Sequence, residues 1–336
     1  MGIKITRKQL SKPVPVYDIT VPETSSFLAN NVVVHNCSEI CLPTEPDESF
    51  VCNLASMNIG RYDYWKDTNA VNIMIRMLDM VMEEFIDKSK DIPYFEAAHK
   101  FAKNHRALGL GVLGWHDYLQ EHNIAFESYD AMKANNEIFS NIRAKADEET
   151  RNLAKQFGEP EVCKGYGVRN STLLAIAPTT SSSYILGAAS PGIEPLNTNY
   201  FVKDLSKGNF TYRNPRLKRL LESKGKDDAS TWRSILINDG SVEHLDCLSD
   251  HEKSVYRTFG EINQLSIIQQ AAQRQKYIDQ SQSLNTRLHP ATSTKDANAL
   301  LVEAWKLGVK TLYYQRGVNP SQELARNIMK CSSCEA

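Results

Sequence analysis

No apolar run in these 336 residues approaches the roughly 20 that a membrane-crossing helix requires. Nor is there any block of like charge, and the formal net charge is −1. That excludes a nucleic-acid coat and a polybasic membrane anchor, since both need a concentrated positive field. The basic opening stretch, residues 1–13, has no apolar segment behind it, so it is not a secretory signal. A cytoplasmic location is the expectation, with neither membrane nor direct nucleic-acid binding. Internal repeats and low-complexity tracts are absent too. The seven cysteines (Cys37, Cys41, Cys52, Cys163, Cys247, Cys331 and Cys334) are odd in number and do not form a secreted disulfide framework. In a reducing compartment each is buried and inert, a metal ligand, or chemically active. What is present is ordinary for a chain with a real core: 41% hydrophobic and 24% charged residues, enough for one large domain or two smaller ones.

Residues 1–36 stand apart. Two β-type runs, Val14 to Val21 and Phe27 to Val34, are separated by the turn-like Pro22 to Ser26, and Asn30-Asn31 adds a second turn signal. This element is too short to fold alone. Beyond Cys37 the pattern alternates between helices and short apolar strands, which predicts an α/β architecture with a mainly parallel sheet. Helices are expected over 69–88, with Val71, Met74, Leu78, Val81, Met82 and Phe85 on the buried face, and over 131–157, 255–283 and 296–307. Leu173 to Ala177 and Val309 to Tyr314 read as strands. Residues 203–254, charged and rich in Gly, Asp and Ser, read as a surface excursion, and the polar tail after Tyr314 as mobile.

The run Val32-Val33-Val34-His35-Asn36-Cys37 carries a specific chemistry. An Asn amide can attack its own carbonyl and cut the chain behind it. A neighbouring His can protonate the departing amine, and a thiol on the next residue can first accept an acyl group as a thioester. Residues 16–37 resemble the last two blocks of an intein. With only 35 residues ahead of Asn36, the resemblance is to the C-terminal fragment of a split intein. It implies that Asn36 cyclises, His35 assists, Cys37 accepts the acyl group, and Asp18 helps in the earlier steps. Ser25-Ser26 stands where many inteins carry a second His.

Cys37 and Glu39 lie two residues apart, on one face if the segment is extended. Cys52 follows, in Val51-Cys52-Asn53-Leu54-Ala55-Ser56-Met57-Asn58. Thiols and a carboxylate are the groups that radical reduction of a ribose 2′-hydroxyl would use. A thiyl radical takes the 3′-hydrogen, a carboxylate takes the 3′-hydroxyl proton, and a thiol pair becomes a disulfide. Arg169 to Leu173 and Pro178-Thr179-Thr180-Ser181-Ser182 put a strand end and hydroxyl residues at a helix start, which suits a phosphate. Lys310 to Gln315 contains Tyr313-Tyr314, and Cys331-Ser332-Ser333-Cys334 is a Cys-x-x-Cys pair, either redox-active or half of a zinc site.

Together these motifs resemble the catalytic (alpha) subunit of a class I ribonucleotide reductase, from Cys37 onward. The resemblance implies that Cys37 carries the thiyl radical, Glu39 is the general base and Cys52 is one of the redox pair. It implies that Tyr313 and Tyr314 relay the radical, Cys331 and Cys334 re-reduce the site, and Pro178 to Ser182 hold the substrate diphosphate. Family enzymes often have Glu where Thr180 stands. Pro191-Gly192-Ile193-Glu194-Pro195 is expected to serve barrel packing. Cys41 is expected in the core, and Cys163 and Cys247 as structural or surface thiols.

The implied fold is the second half of a ten-stranded α/β barrel with its catalytic finger loop (37–316). Before it stands a small all-β piece of the Hint (intein) fold (1–36), and after it a flexible tail (317–336). No metal or cofactor is implied in this chain. The radical would come from a metal-containing small (beta) subunit, and thioredoxin or glutaredoxin would be the reductant. ATP and dNTP effectors would bind an N-terminal half carrying the other intein fragment. Half a barrel would leave an open edge and apolar surface, so the chain alone is expected to be poorly soluble or inactive. Two alternatives remain open. An adenosylcobalamin-dependent reductase would not need Tyr313-Tyr314, and a splicing module with an inactive passenger would not need Cys52 and Glu39.

Overall fold

The computed structural model describes residues 26–29, 32–35, 38–187, 189–205, 208–289 and 292–317. Strands β1 (Ser26–Ala29) and β2 (Val32–His35) pair antiparallel, Ser26 opposite His35 and Ala29 opposite Val32. The run from Phe27 to Val34 is therefore two paired arms, on either side of the expected turn signal at Asn30-Asn31. A two-residue connection of this composition is a common hairpin signal.

The body is a parallel array of strands wrapped by helices. Strand β3 (Asn53–Asn58) leads through α1 (Tyr62–Trp65), α2 (Ala70–Ser89) and α3 (Glu96–His105) to β4 (Leu108–Leu113), which runs parallel to β3 with Asn53 opposite Leu108. Helices α4 (Trp115–Glu121) and α5 (Tyr129–Phe157) follow. The chain then returns as an irregular extended track over 172–177. Leu110 N–H donates to the Leu173 carbonyl at 2.8 Å, and Ala175 N–H donates to the Leu110 carbonyl at 3.2 Å. A fourth track, 280–285, joins it through Ile176 N–H to Ser281 O at 3.0 Å and Ser283 N–H to Ile176 O at 2.9 Å. The fifth closes on the fourth, with Tyr313 N–H donating to Leu284 O at 2.8 Å.

Helix α2 forms because apolar residues recur at helical spacing. Val71, Ile75, Leu78, Met82 and Ile86 are buried, while Met74 and Phe85 pack partly buried against the core. Val81, expected on this face, is exposed. The stripe is centred on Ile75 and Ile86, and Val81 falls to its far side. Helix α5 starts where Ser128 Oγ accepts the Ala131 N–H at 3.2 Å, and it ends at Gly158, whose φ of +84° suits only glycine comfortably.

Residues 203–254 are not a surface excursion. Helix α6 (Thr180–Ile185) precedes a hairpin of strands β5 (Tyr200–Leu205) and β6 (Gly208–Arg213), after which come helices α7 (Pro215–Ser223), α8 (Ala229–Ile237) and α9 (Asp250–Val255). Leu217, Leu221, Trp232, Ile235, Val242 and Val255 are buried together as a second core. Their spacing of three or four within each helix sits among charged residues, which hides it in the composition. The helix expected over 255–283 is also shorter. Helix α10 (Gln264–Gln275) is capped by Asn263, and the following residues leave it to build the fourth track.

After helix α11 (Thr294–Lys306) the last strand begins later than expected. Val309 N–H still caps the helix by donating to Ala304 O at 3.0 Å. Strand β8 (Gln315–Gly317) then pairs parallel with β7 (Thr286–Leu288), so residues 315–317 are ordered sheet rather than mobile tail.

Candidate active site

Residues 38–41 are tied to the fourth and fifth tracks. The Ser281 N–H donates to Glu39 O at 2.9 Å, and Thr311 Oγ1 donates to Ser38 O at 2.7 Å. The Glu39 carboxylate is 2% exposed and accepts a hydrogen bond from Ser283 Oγ. Cys52 lies just ahead of β3. Its Sγ accepts from Gln280 Nε2 at 3.1 Å, while Gln280 Oε1 accepts the Cys41 N–H at 3.1 Å. One carboxamide thus joins residues 38–41 to the thiol. Gly109 keeps the approach open, since a Cβ there would stand 3.2 Å from Cys52 Sγ. Burial pushes the Cys52 thiol up, to about 11; the Gln280 hydrogen bond opposes the rise and the nearby Glu39 charge adds to it.

Tyr313 and Tyr314 sit where the fifth track meets the fourth. Their hydroxyls are 3.1 Å apart, with Tyr313 donating, and the ring centroids are 3.9 Å apart. Tyr314 N–H donates to Asn285 Oδ1 at 3.0 Å, and Asn285 N–H donates to Glu194 Oε1 at 3.0 Å. Burial pushes the Glu194 carboxyl up, and the Asn285 hydrogen bonds oppose that. Glu194, assigned to packing from sequence, thus braces the tyrosine strand.

Pro178 and Thr179 end the third track. Thr179 adopts a left-handed φ of +48° and its Oγ1 accepts the Gly192 N–H at 2.8 Å. Ser181 and Ser182 are exposed, while Thr180 and Ser183 line a cavity of about 350 Å³ with Tyr184, Pro191 and Tyr212. Arg169 and Asn170 point away from it, into a buried network around Asp79. Cys41 is exposed, not in the core as expected, because its backbone rather than its side chain makes the anchoring contact. Cys163 is buried and Cys247 partly so. Asp18, Asn36, Cys37, Cys331 and Cys334 lie outside the described residues. His35 closes β2. Among the described residues no group of three or more His, Cys, Asp or Glu is placed to hold a metal, and no helix is long and apolar enough to cross a membrane.

The chain matches the family model for the ribonucleotide reductase barrel domain over residues 8–163 and 160–315. It belongs to the ribonucleotide reductase barrel family. It is 41% identical over 305 residues to the ribonucleoside-diphosphate reductase large subunit of Invertebrate iridescent virus 6, covering 89% of this chain and 32% of that protein. It is 42% identical over 281 residues to a putative large subunit of Frog virus 3, covering 83% and 50%. Among solved structures, the class Id ribonucleotide reductase alpha subunit of Actinobacillus ureae aligns with a TM-score of 0.80 and 56% identity, over 84% of this chain and 52% of that one. The chain therefore spans a third to a half of the length of these relatives. The family match begins at residue 8, inside the stretch that resembles an intein.

Sequence reading missed Gln280, Ser281, Ser283, Asn285 and Thr311. All but Thr311 are buried, and all are in or beside the polar run Asp279 to Thr286 or the tyrosine strand. The signal was a polar run lodged between a helix and a strand, which usually means a loop.

Proposed function

We propose that the chain supplies one half of a class I catalytic barrel that converts ribonucleoside diphosphates to deoxyribonucleotides. The observation that carries this reading is that the fourth track gathers the parts: its Ser283 holds buried Glu39, its Gln280 ties Cys52 to the Cys41 backbone, and it adjoins the track of the hydrogen-bonded Tyr313–Tyr314 pair. In this reading a radical reaches the Cys37 sulfur through the two phenols, each of which can lose an electron and a proton together. The Cys37 thiyl takes the 3′-hydrogen and returns it to C3′ once the 2′ carbon is reduced, while Glu39 accepts the 3′-hydroxyl proton and later gives it back. The 2′-hydroxyl leaves as water. Cys52 and a thiol from the complementary half give up two electrons and two protons and become a disulfide, and the Cys331–Cys334 dithiol re-reduces it. Pro178 to Ser182 hold the diphosphate. A radical-generating small subunit and thioredoxin or glutaredoxin complete the cycle.

Residues 1–36 act before any of this, as the C-terminal part of a split intein. Asn36 cyclises with help from His35 and Asp18, and Cys37 accepts the acyl group of the complementary half. One thiol then serves as splicing nucleophile and afterwards as radical site. The resemblance of residues 16–37 to intein blocks supports this, and so does the hairpin that ends at His35. The experiment mixes the chain with the complementary half and follows mass and deoxynucleotide formation. Asn36→Ala should abolish the ligated product and activity together, and activity without ligation would refute the dual role. Tyr313→Phe or Tyr314→Phe should stop turnover while nucleotide binding survives.

A further inference from the structure

Gln280 is fully buried, and its neighbours dictate how its carboxamide lies. Oε1 accepts the Cys41 N–H, and Nε2 faces the Leu108 carbonyl at 3.0 Å. Turned over, the oxygen would face a carbonyl and the NH2 would face an N–H, so only one orientation satisfies the site. That orientation aims Nε2 at Cys52 Sγ, 3.1 Å away, and at Thr172 Oγ1, 3.2 Å away. A carboxamide nitrogen has two protons, yet three acceptors surround this one. A neutral thiol is the weakest acceptor of the three and a thiolate the strongest. The Leu108 carbonyl also accepts from Thr172 Oγ1 at 2.9 Å, so it stays paired if Gln280 shifts its hydrogen bond to sulfur.

We propose that Gln280 is the hydrogen-bond donor that stabilises a thiolate at Cys52. The step it serves rests on the reductase reading. There, a dithiol reductant attacks the sulfur bonded to Cys52. A new S–S bond forms, the old one breaks, and the electron pair leaves on Cys52 Sγ, which then takes a proton from solvent. A leaving thiol of lower pKa departs faster. Glu39, the charged group acting on this sulfur, opposes charge there, and the fixed donor counters it.

The test reads the sulfur rather than turnover. Cys52 in the full chain is alkylated with iodoacetamide between about pH 8 and about pH 11 and followed by peptide mass spectrometry, with Cys163 as internal control. Gln280→Met, of similar volume but without a donor, should slow alkylation at about pH 9 by about tenfold, the effect of one pKa unit. Gln280→Glu, which keeps an acceptor for the Cys41 N–H, should slow it as well. A merely structural role predicts the opposite sign, because a loosened site reacts faster. Alkylation unchanged or faster in both variants overturns the proposal. Should the variants not fold, selective ¹⁵N labelling of glutamine side chains in the unsubstituted chain decides. The Gln280 amide protons must shift as Cys52 titrates, and a resonance that stays still overturns it. Neither readout needs catalysis. If these shifts appear and the ligated enzyme makes no deoxyribonucleotide, the reductase reading fails and the hydrogen bond stands.

Discussion

Glu39 is buried with a hydroxyl donor on its carboxylate and its backbone carbonyl held by the Ser281 N–H. Glu39→Gln keeps an oxygen for Ser283 and nearly the same volume, so the fold should survive while the proton acceptor is lost. Deoxynucleotide formation by the ligated enzyme is expected to fall by about 100-fold or more, with the thermal midpoint almost unchanged. A large fall in the midpoint would show instead that the carboxylate is structural. Cys52 offers a second residue-scale prediction. Its thiol titrates at about 11 in the fold against 9.0 for a free thiol. The unfolded chain therefore releases its proton first as pH rises. The stabilisation is whole below the free thiol's pKa and is lost as pH climbs through the folded one. The span from 9.0 to about 11 corresponds to about 3 kcal/mol. Cys52→Ala should flatten this part of the alkaline limb in urea midpoints measured from about pH 8 to about pH 11.

At the scale of elements, the parallel tracks are spaced by missing side chains. A Cβ on Gly111 would lie 2.4 Å from the Ala175 carbonyl, a backbone atom that cannot turn aside. Gly111→Ala should force β4 away from the third track and cost about 1–3 kcal/mol in chemical denaturation. The helices are fastened by a buried ionic knot. Asp79 on α2 accepts from Arg106 Nε at 2.9 Å, Arg169 Nε at 3.0 Å and Asn170 Nδ2 at 2.9 Å. Asp79→Ala leaves two buried guanidiniums short of a partner and should cost about 3–5 kcal/mol. These elements also show how far the sequence could be read. Helix α2 was legible because its apolar residues keep the helical period, and the extended track at 173–177 because it is an unbroken apolar run. The second core around Trp232 was not, because its apolar residues are few and charge surrounds them. The fourth track was not either, since Gln280 to Asn285 is polar and buried, and only tertiary hydrogen bonds make that tolerable. In the site, Glu39, Cys52 and the tyrosines were legible as chemistry, whereas the residues that hold them belong to distant segments.

Among the described residues the molecule presents five parallel tracks, and the first strand, β3, pairs with β4 and with no other strand there. On the outer face of α2, Ile73, Met77, Met80 and Val81 are exposed, and Leu54 on β3 is exposed as well. Apolar residues gathered in this way on one helix and one edge are what a partner surface looks like before the partner arrives. The complementary half of the barrel, in the reading proposed above, is the surface that would cover them. Alone, the chain should therefore self-associate at micromolar concentration and bind a hydrophobic dye. Addition of the complementary half should convert it to one species of fixed stoichiometry with the dye signal lost. Met77→Glu puts a charge in the middle of the stripe while leaving the buried face of α2 intact. It should reduce self-association in sedimentation velocity without lowering the thermal midpoint, and it should weaken capture of the other half by about tenfold or more, the cost of desolvating one unpaired carboxylate. Self-association and capture both unaffected by that charge would mean that the exposed stripe is ordinary surface and that the two halves meet elsewhere.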